Sequence, residues 1–237
     1  MSGVLINPFV LFPPAPPDGD ADPLWEYVTM LIQGETDIVD VRGHAITIHV
    51  AGVTGISNSG GEIALTRAGT KDAIQVDGSD GAFSPGTGQF CVEGVFRAAS
   101  SNTGYQMLFT NGSGASSAAL NVELSTVRKL YVYSDASIDL AYTGFPLDNS
   151  HHHIAIMRDA SNVFALAVDG TVVARRVSVV NNFNSPVGKF CIGNYQQVES
   201  VSFVGGAKWV RFTKGHARYP TGLGDTFDVP VAALPDH

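Results

Sequence analysis

The sequence predicts an all-β protein: two antiparallel sheets packed as a jelly-roll sandwich, preceded by an extended N-terminal arm. Three observations lead there. From Leu24 onward the apolar segments are short and are separated by turn residues: Asn58-Ser59-Gly60-Gly61, Asp77-Gly78, Asn111-Gly112-Ser113-Gly114, Asp169-Gly170 and Gly205-Gly206. Short strands at regular spacing between such turns are the pattern of a sandwich or jelly roll. Several segments alternate large apolar with small or polar residues, the period of a strand. No repeat of about 20–50 residues is evident, which argues against a propeller or solenoid.

Residues 1–24 stand apart. Val4-Leu5-Ile6 and Phe9-Val10-Leu11-Phe12 are apolar, Pro13-Pro14-Ala15-Pro16-Pro17 is polyproline-like, and Asp18-Gly19-Asp20-Ala21-Asp22-Pro23 is a polar turn or linker. Five of the twelve prolines fall between Pro8 and Pro17. Such a segment cannot bury its own apolar side chains, so something else must order it. The arm is expected to dock on a partner through Ile6, Pro8, Phe9, Leu11 and Phe12. Burial of the four non-proline residues would contribute about 1.5–3 kcal/mol each before ordering costs. The alternative is an arm folded back onto its own domain.

Residues 25–237 form the domain. A helical turn is expected only within Asp22–Tyr27. Strands are expected at Tyr27–Gln33, Ala45–Val50, Ala73–Val76, Phe90–Arg97, Gln106–Thr110, Ala118–Leu124 and Lys129–Ser134. More follow at Ser137–Tyr142, His152–Arg158, Asn162–Val168, Thr171–Val177, Lys189–Gly193 and Ala207–Thr213. The clearest hairpin lies around Asp169-Gly170, a pair that tolerates positive φ. Before it, Phe164, Leu166 and Val168 share one strand face, and Ala165 and Ala167 the other.

Composition narrows the partners. Of 237 residues, 44% are hydrophobic and 15% charged, against about 25% charged in an average soluble protein. The 14 basic and 22 acidic residues leave a net charge of −8. No basic cluster exceeds Arg175-Arg176, so nucleic acid is not an expected partner. No apolar run approaches the roughly 18 residues of a membrane span, and no leader pattern is expected at the N-terminus. Two cysteines, Cys91 and Cys191, cannot make a disulfide framework and read as buried thiols of a chain folded in the cytoplasm.

Five segments, in order, resemble a known family. They are Asp22-Pro23-Leu24-Trp25, Gly88-Gln89-Phe90-Cys91-Val92-Glu93-Gly94-Val95-Phe96-Arg97, and His152-His153-Ile154-Ala155 leading to Val168-Asp169-Gly170. Phe190-Cys191-Ile192-Gly193 and Val210-Arg211-Phe212-Thr213-Lys214-Gly215-His216-Ala217-Arg218-Tyr219 complete the set. Together they cover about 22–235 and resemble the laminin-G-like, concanavalin-A-like jelly roll of tailed-bacteriophage structural proteins. His151 stands where that family usually carries Trp, Val95 replaces its Trp after Glu-Gly, and Ala207-Lys208-Trp209 replaces its acidic strand residues. The resemblance implies a virion context but no fixed activity.

Several residues invite chemistry. The triplet His151-His152-His153 offers two imidazoles on one strand face, too few for a zinc site. The expected role is structural, with His153 pointing inward beside Ala155 and Met157 and His152 in a polar rim. Glu35-Thr36-Asp37-Ile38-Val39-Asp40 nearly spells a glucanase motif, in which two carboxyls on one sheet face cleave a glycoside. Its last acid is Asp where Glu is usual, and no aromatic cluster adjoins it in the sequence, so a loop or strand edge is expected. Asp135, Asp139, Asp148 and Asp159 are candidate calcium ligands, but no dense Asp/Asn/Gly loop holds them, so surface carboxylates are the expected reading. No nucleophile-elbow or phosphate-loop motif is present. Gly88-x-Phe-Cys91 and Gly188-x-Phe-Cys191 are alike, and each Cys stands where the family has Thr. That raises neighbouring strands with thiols close enough to oxidise as a hypothesis, against the expected reading of two independent buried thiols.

The expectation is a non-enzymatic virion structural protein without cofactor. It would decorate the outside of a phage capsid or tail, bound through its arm to the major capsid or tail protein, and could self-associate. A glycan-binding adhesin or receptor-binding module is the alternative, and a glycoside hydrolase a more distant one.

Overall fold

The structure is a computed structural model, and it describes residues 22–34, 37–49, 55–66, 72–78, 81–100, 104–112, 119–134, 137–185, 188–194 and 201–230. The docking residues Ile6, Pro8, Phe9, Leu11 and Phe12, with Glu35 and Asp135, lie outside the described residues.

A short 3-10 turn at Trp25–Tyr27 leads into β1 (Val28–Gln33), β2 (Val39–Asp40), β3 (Ile46–His49), β4 (Ile56–Ser59) and β5 (Glu62–Leu65). Then come β6 (Ala73–Asp77), β7 (Phe90–Ala98), β8 (Gln106–Thr110), β9 (Asn121–Leu124), β10 (Lys129–Ser134) and β11 (Ser137–Thr143). The chain closes with β12 (His151–Arg158), β13 (Phe164–Val168), β14 (Thr171–Arg176), β15 (Lys189–Ile192) and β16 (Gly205–Lys214). Two antiparallel sheets result, as expected. One has the order β14-β13-β12-β7-β16-β1-β2, with the β4–β5 hairpin joined to β16; the other runs β11-β10-β9-β8-β15-β6-β3.

Alternation decides which side chains meet between the sheets. Phe90, Val92 and Phe96 of β7, Ile154 and Ile156 of β12, and Phe164, Leu166 and Val168 of β13 enter the core from one sheet. Ile74, Val76, Val122, Leu124, Leu130, Val132, Phe190 and Ile192 enter from the other. Asp169 (φ 47°) and Gly170 (φ 75°) make the tight turn that the sequence predicts.

The strands that escaped sequence reading are β2, β4 and β5. β16 outruns β1: Trp209–Thr213 pair with β1, while Gly205–Ala207 pair with Leu65–Ile63 of β5. The β4–β5 hairpin thus fills the place beside β16 where β1 has ended. Gly34 marks the handover, because a Cβ there would stand 2.6 Å from the Ile63 nitrogen.

Sheet geometry decides between the two readings of the cysteines, in favour of independent buried thiols. Cys91 lies in β7 and Cys191 in β15, and these strands belong to different sheets. Their neighbours Phe90, Val92, Phe190 and Ile192 face the shared core, so both thiols point away from it. They form no disulfide. The two Gly-x-Phe-Cys segments occupy comparable places, but on opposite outer faces. Burial raises the Cys91 thiol pKa well above its usual value, which keeps it protonated.

Candidate functional site

Four of the five segments that carry the resemblance, all but Phe190-Cys191-Ile192-Gly193, meet in one buried charge network on the outer face of the nine-stranded sheet. Glu93 of β7 stands in register with Arg211 of β16 and Ala155 of β12. Arg211 donates to Glu93 Oε1 from Nε (3.0 Å) and Nη2 (2.6 Å), and to Asp22 Oδ2 from Nη1 (2.8 Å). Arg218 donates to the other Asp22 oxygen. His153 Nε2 (2.9 Å) and the Tyr219 hydroxyl (2.7 Å) donate to Glu93 Oε2. Burial alone would raise the Glu93 carboxyl, but Arg211, His153 and Arg218 outweigh it and hold it well below the usual carboxylate range.

This network clamps the chain ends described. Tyr219 stacks on Phe227 at 3.8 Å, and both meet the His153 ring edge-on at 5.9 Å. Beneath them Cys91, Ala155, Ala165 and Ala167 are small, which leaves room for the segment Ala217–Phe227 to lie on the sheet. His153 is therefore buried as expected and shares its face with Ala155 and Met157. That face is the outer one, however, sealed by the C-terminal segment rather than by the other sheet.

The other histidines go elsewhere. His151 Nε2 lies 2.8 Å from Glu62, which also binds Arg97. His152 sits at the rim between Asp169 (2.7 Å) and Asp148 (3.1 Å), as expected. Burial would lower the His152 pKa, but the two carboxylates raise it. Acidic partners, all but Asp148 remote in sequence, thus divide the triplet among three sites. Among the described residues no three His, Cys, Asp or Glu side chains form a metal-binding group.

Of the other carboxylates singled out in the sequence, Asp40 and Asp159 hold turns and Asp139 is paired from within β11. Asp40 accepts from the main-chain nitrogens of Leu31 (2.9 Å), Arg42 (3.1 Å) and His44 (3.2 Å) and pairs with the His44 ring (2.5 Å). Asp159 accepts from Ser161, Val163 and Thr221, while Asp139 pairs with Arg176 and Asn181.

The outer face of the seven-stranded sheet carries the candidate binding surface, at its β8–β10 end. There Met107, Glu123, Tyr131 and Ala141 line up across four strands. Tyr105, just before β8, is 54% exposed, and its ring centre lies 6.5 Å from that of Tyr131. Two tilted phenol rings offer apolar faces and hydroxyls side by side, with the buried Glu123 in register with Tyr131 on the strand between theirs. That combination suits the C–H face and hydroxyls of a pyranose. Sequence reasoning missed this pair, although the signal was there. In Lys129-Leu130-Tyr131-Val132-Tyr133, period two puts Leu130 and Val132 in the core and leaves the tyrosines outside.

No family model matches the chain, and no curated protein does. Its fold is similar to several solved ones. The binding domain of botulinum neurotoxin DC, in complex with SialylT, aligns with TM-score 0.57 and 8% identity over 82% of this chain and 50% of that one. Trypanosoma rangeli sialidase in complex with sialic acid gives 0.61 and 11%, over 81% and 32%. Domain 4 of AbnA, a GH43 extracellular arabinanase from Geobacillus stearothermophilus in complex with arabinotriose, gives 0.54 and 15%, over 79% and 92%. The chain spans half the length of the neurotoxin binding domain and about a third of the sialidase. At these identities the likeness establishes the β-sandwich fold.

Proposed function

We propose that this chain is a non-enzymatic glycan-binding protein. The observation that carries the reading is the Tyr105–Tyr131 ring pair on the outer face, exposed at Tyr105 and half-buried at Tyr131. Supporting it, the similar folds include ones solved with arabinotriose and with sialic acid. The glucanase alternative has less behind it. Of its acids, Asp40 is buried and holds a turn, and Asp37 lies in an irregular stretch before β2. A glycan array of the full chain tests the proposal. Binding to at least one glycan class, reduced about tenfold or more by Tyr131→Ala, is expected, since an aromatic stacking contact contributes roughly 0.5–1.5 kcal/mol beyond its buried area. Release of reducing sugar, abolished by Glu35→Gln, would favour the hydrolase instead.

A second reading concerns where the protein sits, and the clamp on Asp22 favours it. Asp22 closes the arm segment and is held by Arg211 and Arg218, so a pull on the arm passes directly into the central strand β16. With the resemblance to phage structural proteins, this supports a virion protein tethered by residues 1–24 to a capsid or tail protein. Deleting residues 2–17 is expected to leave a folded domain that no longer enters particles. Normal incorporation of the truncated chain would defeat this reading.

A further inference from the structure

β3 ends the seven-stranded sheet; among the described residues nothing pairs with its outer side, whereas the edges at β14, β11 and β2 are covered or short. β14 is flanked by the C-terminal segment: Val172 donates to Asp225 and Phe227 to Gly170, at 2.9 and 2.8 Å. β11 lies against β14, with Asp139 bonded to Arg176, and β2 is only two residues long. β3 reads Ile46-Thr47-Ile48-His49, without Lys, Pro, acid or bulge, and Ile48 is 41% exposed. Such an edge is a template for strand addition. The bond from Asp77 N to Ala45 O, with the β3–β6 register, turns the main-chain groups of Ala45, Thr47 and His49 toward β6. Those of Ile46 and Ile48 therefore face outward.

We propose that β3 pairs with β3 of a second copy, antiparallel about a two-fold axis through Thr47. Ile46-Thr47-Ile48 is symmetric about Thr47, so the axis sets isoleucine opposite isoleucine and brings no charge against its like. Ile46 and Ile48 exchange main-chain hydrogen bonds across the axis, and the exposed Ile48 side chain gains an apolar neighbour. The axis is perpendicular to the sheet, so both outer faces point the same way. Nine strand spacings of about 4.8 Å then separate the two tyrosine faces, roughly 40 Å in all. Bivalent display of those faces rests on the glycan reading; the pairing itself does not.

The test is Thr47→Cys. In this register Thr47 faces itself at a non-hydrogen-bonded pair, with Cα atoms about 4.5 Å apart, within disulfide reach. Thr47 is exposed, so the exchange leaves the fold intact, and the native thiols are buried. Oxidation should yield a covalent dimer on a non-reducing gel, whereas Ile46→Cys, diagonal to its copy, should not cross-link. Sedimentation of the full chain should show a concentration-dependent dimer, weakened at least about tenfold by Ile48→Lys. A chain that stays monomeric, a dimer that Ile48→Lys leaves intact, or a Thr47→Cys chain that fails to cross-link overturns the pairing. Absence of glycan binding would leave the pairing standing, and a monomer would leave the glycan reading standing.

Discussion

Arg211→Met is expected to destabilise the domain by about 3–5 kcal/mol, because it removes one partner from a buried ionic network and leaves the others uncompensated. Glu93 would lose both its Arg211 bonds and Asp22 one of its two arginines. Equilibrium urea unfolding of the variant and parent measures the loss. The network also sets the response to acid. The folded-state pKa of Glu93 is depressed, so its contribution is complete above the unfolded carboxyl value of about 4.3 and is lost as pH falls from there toward the folded value. Unfolding curves should therefore weaken below about pH 4 in the parent, and this slope should flatten in Glu93→Gln. An Arg211→Met loss under about 1 kcal/mol would show that the network is no fastening at all.

Arg158→Met should cost a similar amount, about 3–5 kcal/mol, for a different reason. Arg158 is fully buried and, among the described residues, meets no carboxylate. Its guanidinium donates to the main-chain oxygens of Gly88 (2.9 and 2.6 Å), Gly86 (2.6 Å) and Asn181 (2.6 Å), between the rings of Phe90 and Phe183. Burial pulls its pKa down to about 10, so it remains cationic at neutral pH. Methionine fills the space but leaves the Gly88 and Asn181 carbonyls without the donor they use, while Gly86 keeps its bond from the Phe183 main-chain nitrogen. Thermal unfolding followed by circular dichroism should show a large drop in Tm; an unchanged Tm would mean that the loops find other donors.

The strand pattern was legible because alternation and turn chemistry are local. β2, β4 and β5 were not, because β5 exists to continue beside β16 where β1 stops, a consequence of unequal strand lengths. Alternation places Glu93 on the non-core face of β7, yet nothing local shows that Tyr219 and Phe227 will cover it. For the same reason His153 was read as facing inward, when a second covering layer buries it from outside. The hypothesis of a Cys91–Cys191 contact, set against the expected independent thiols, treated similar sequence as adjacency, but in a sandwich equivalent places occur once in each sheet. The motif acids attracted attention by their spacing, whereas Tyr105 and Tyr131 came together only when β8, β9 and β10 were laid side by side.

The most direct test of the central claim is a titration of the isotopically labelled full chain with a glycan selected on the array, followed residue by residue by amide chemical shift. The glycan-binding account predicts shifts that saturate and concentrate at Tyr105, Glu123 and Tyr131, with Tyr219 and Phe227 unmoved. Saturable shifts confined to the opposite sheet, or to the loops around Asp148 and Asp169, would contradict it.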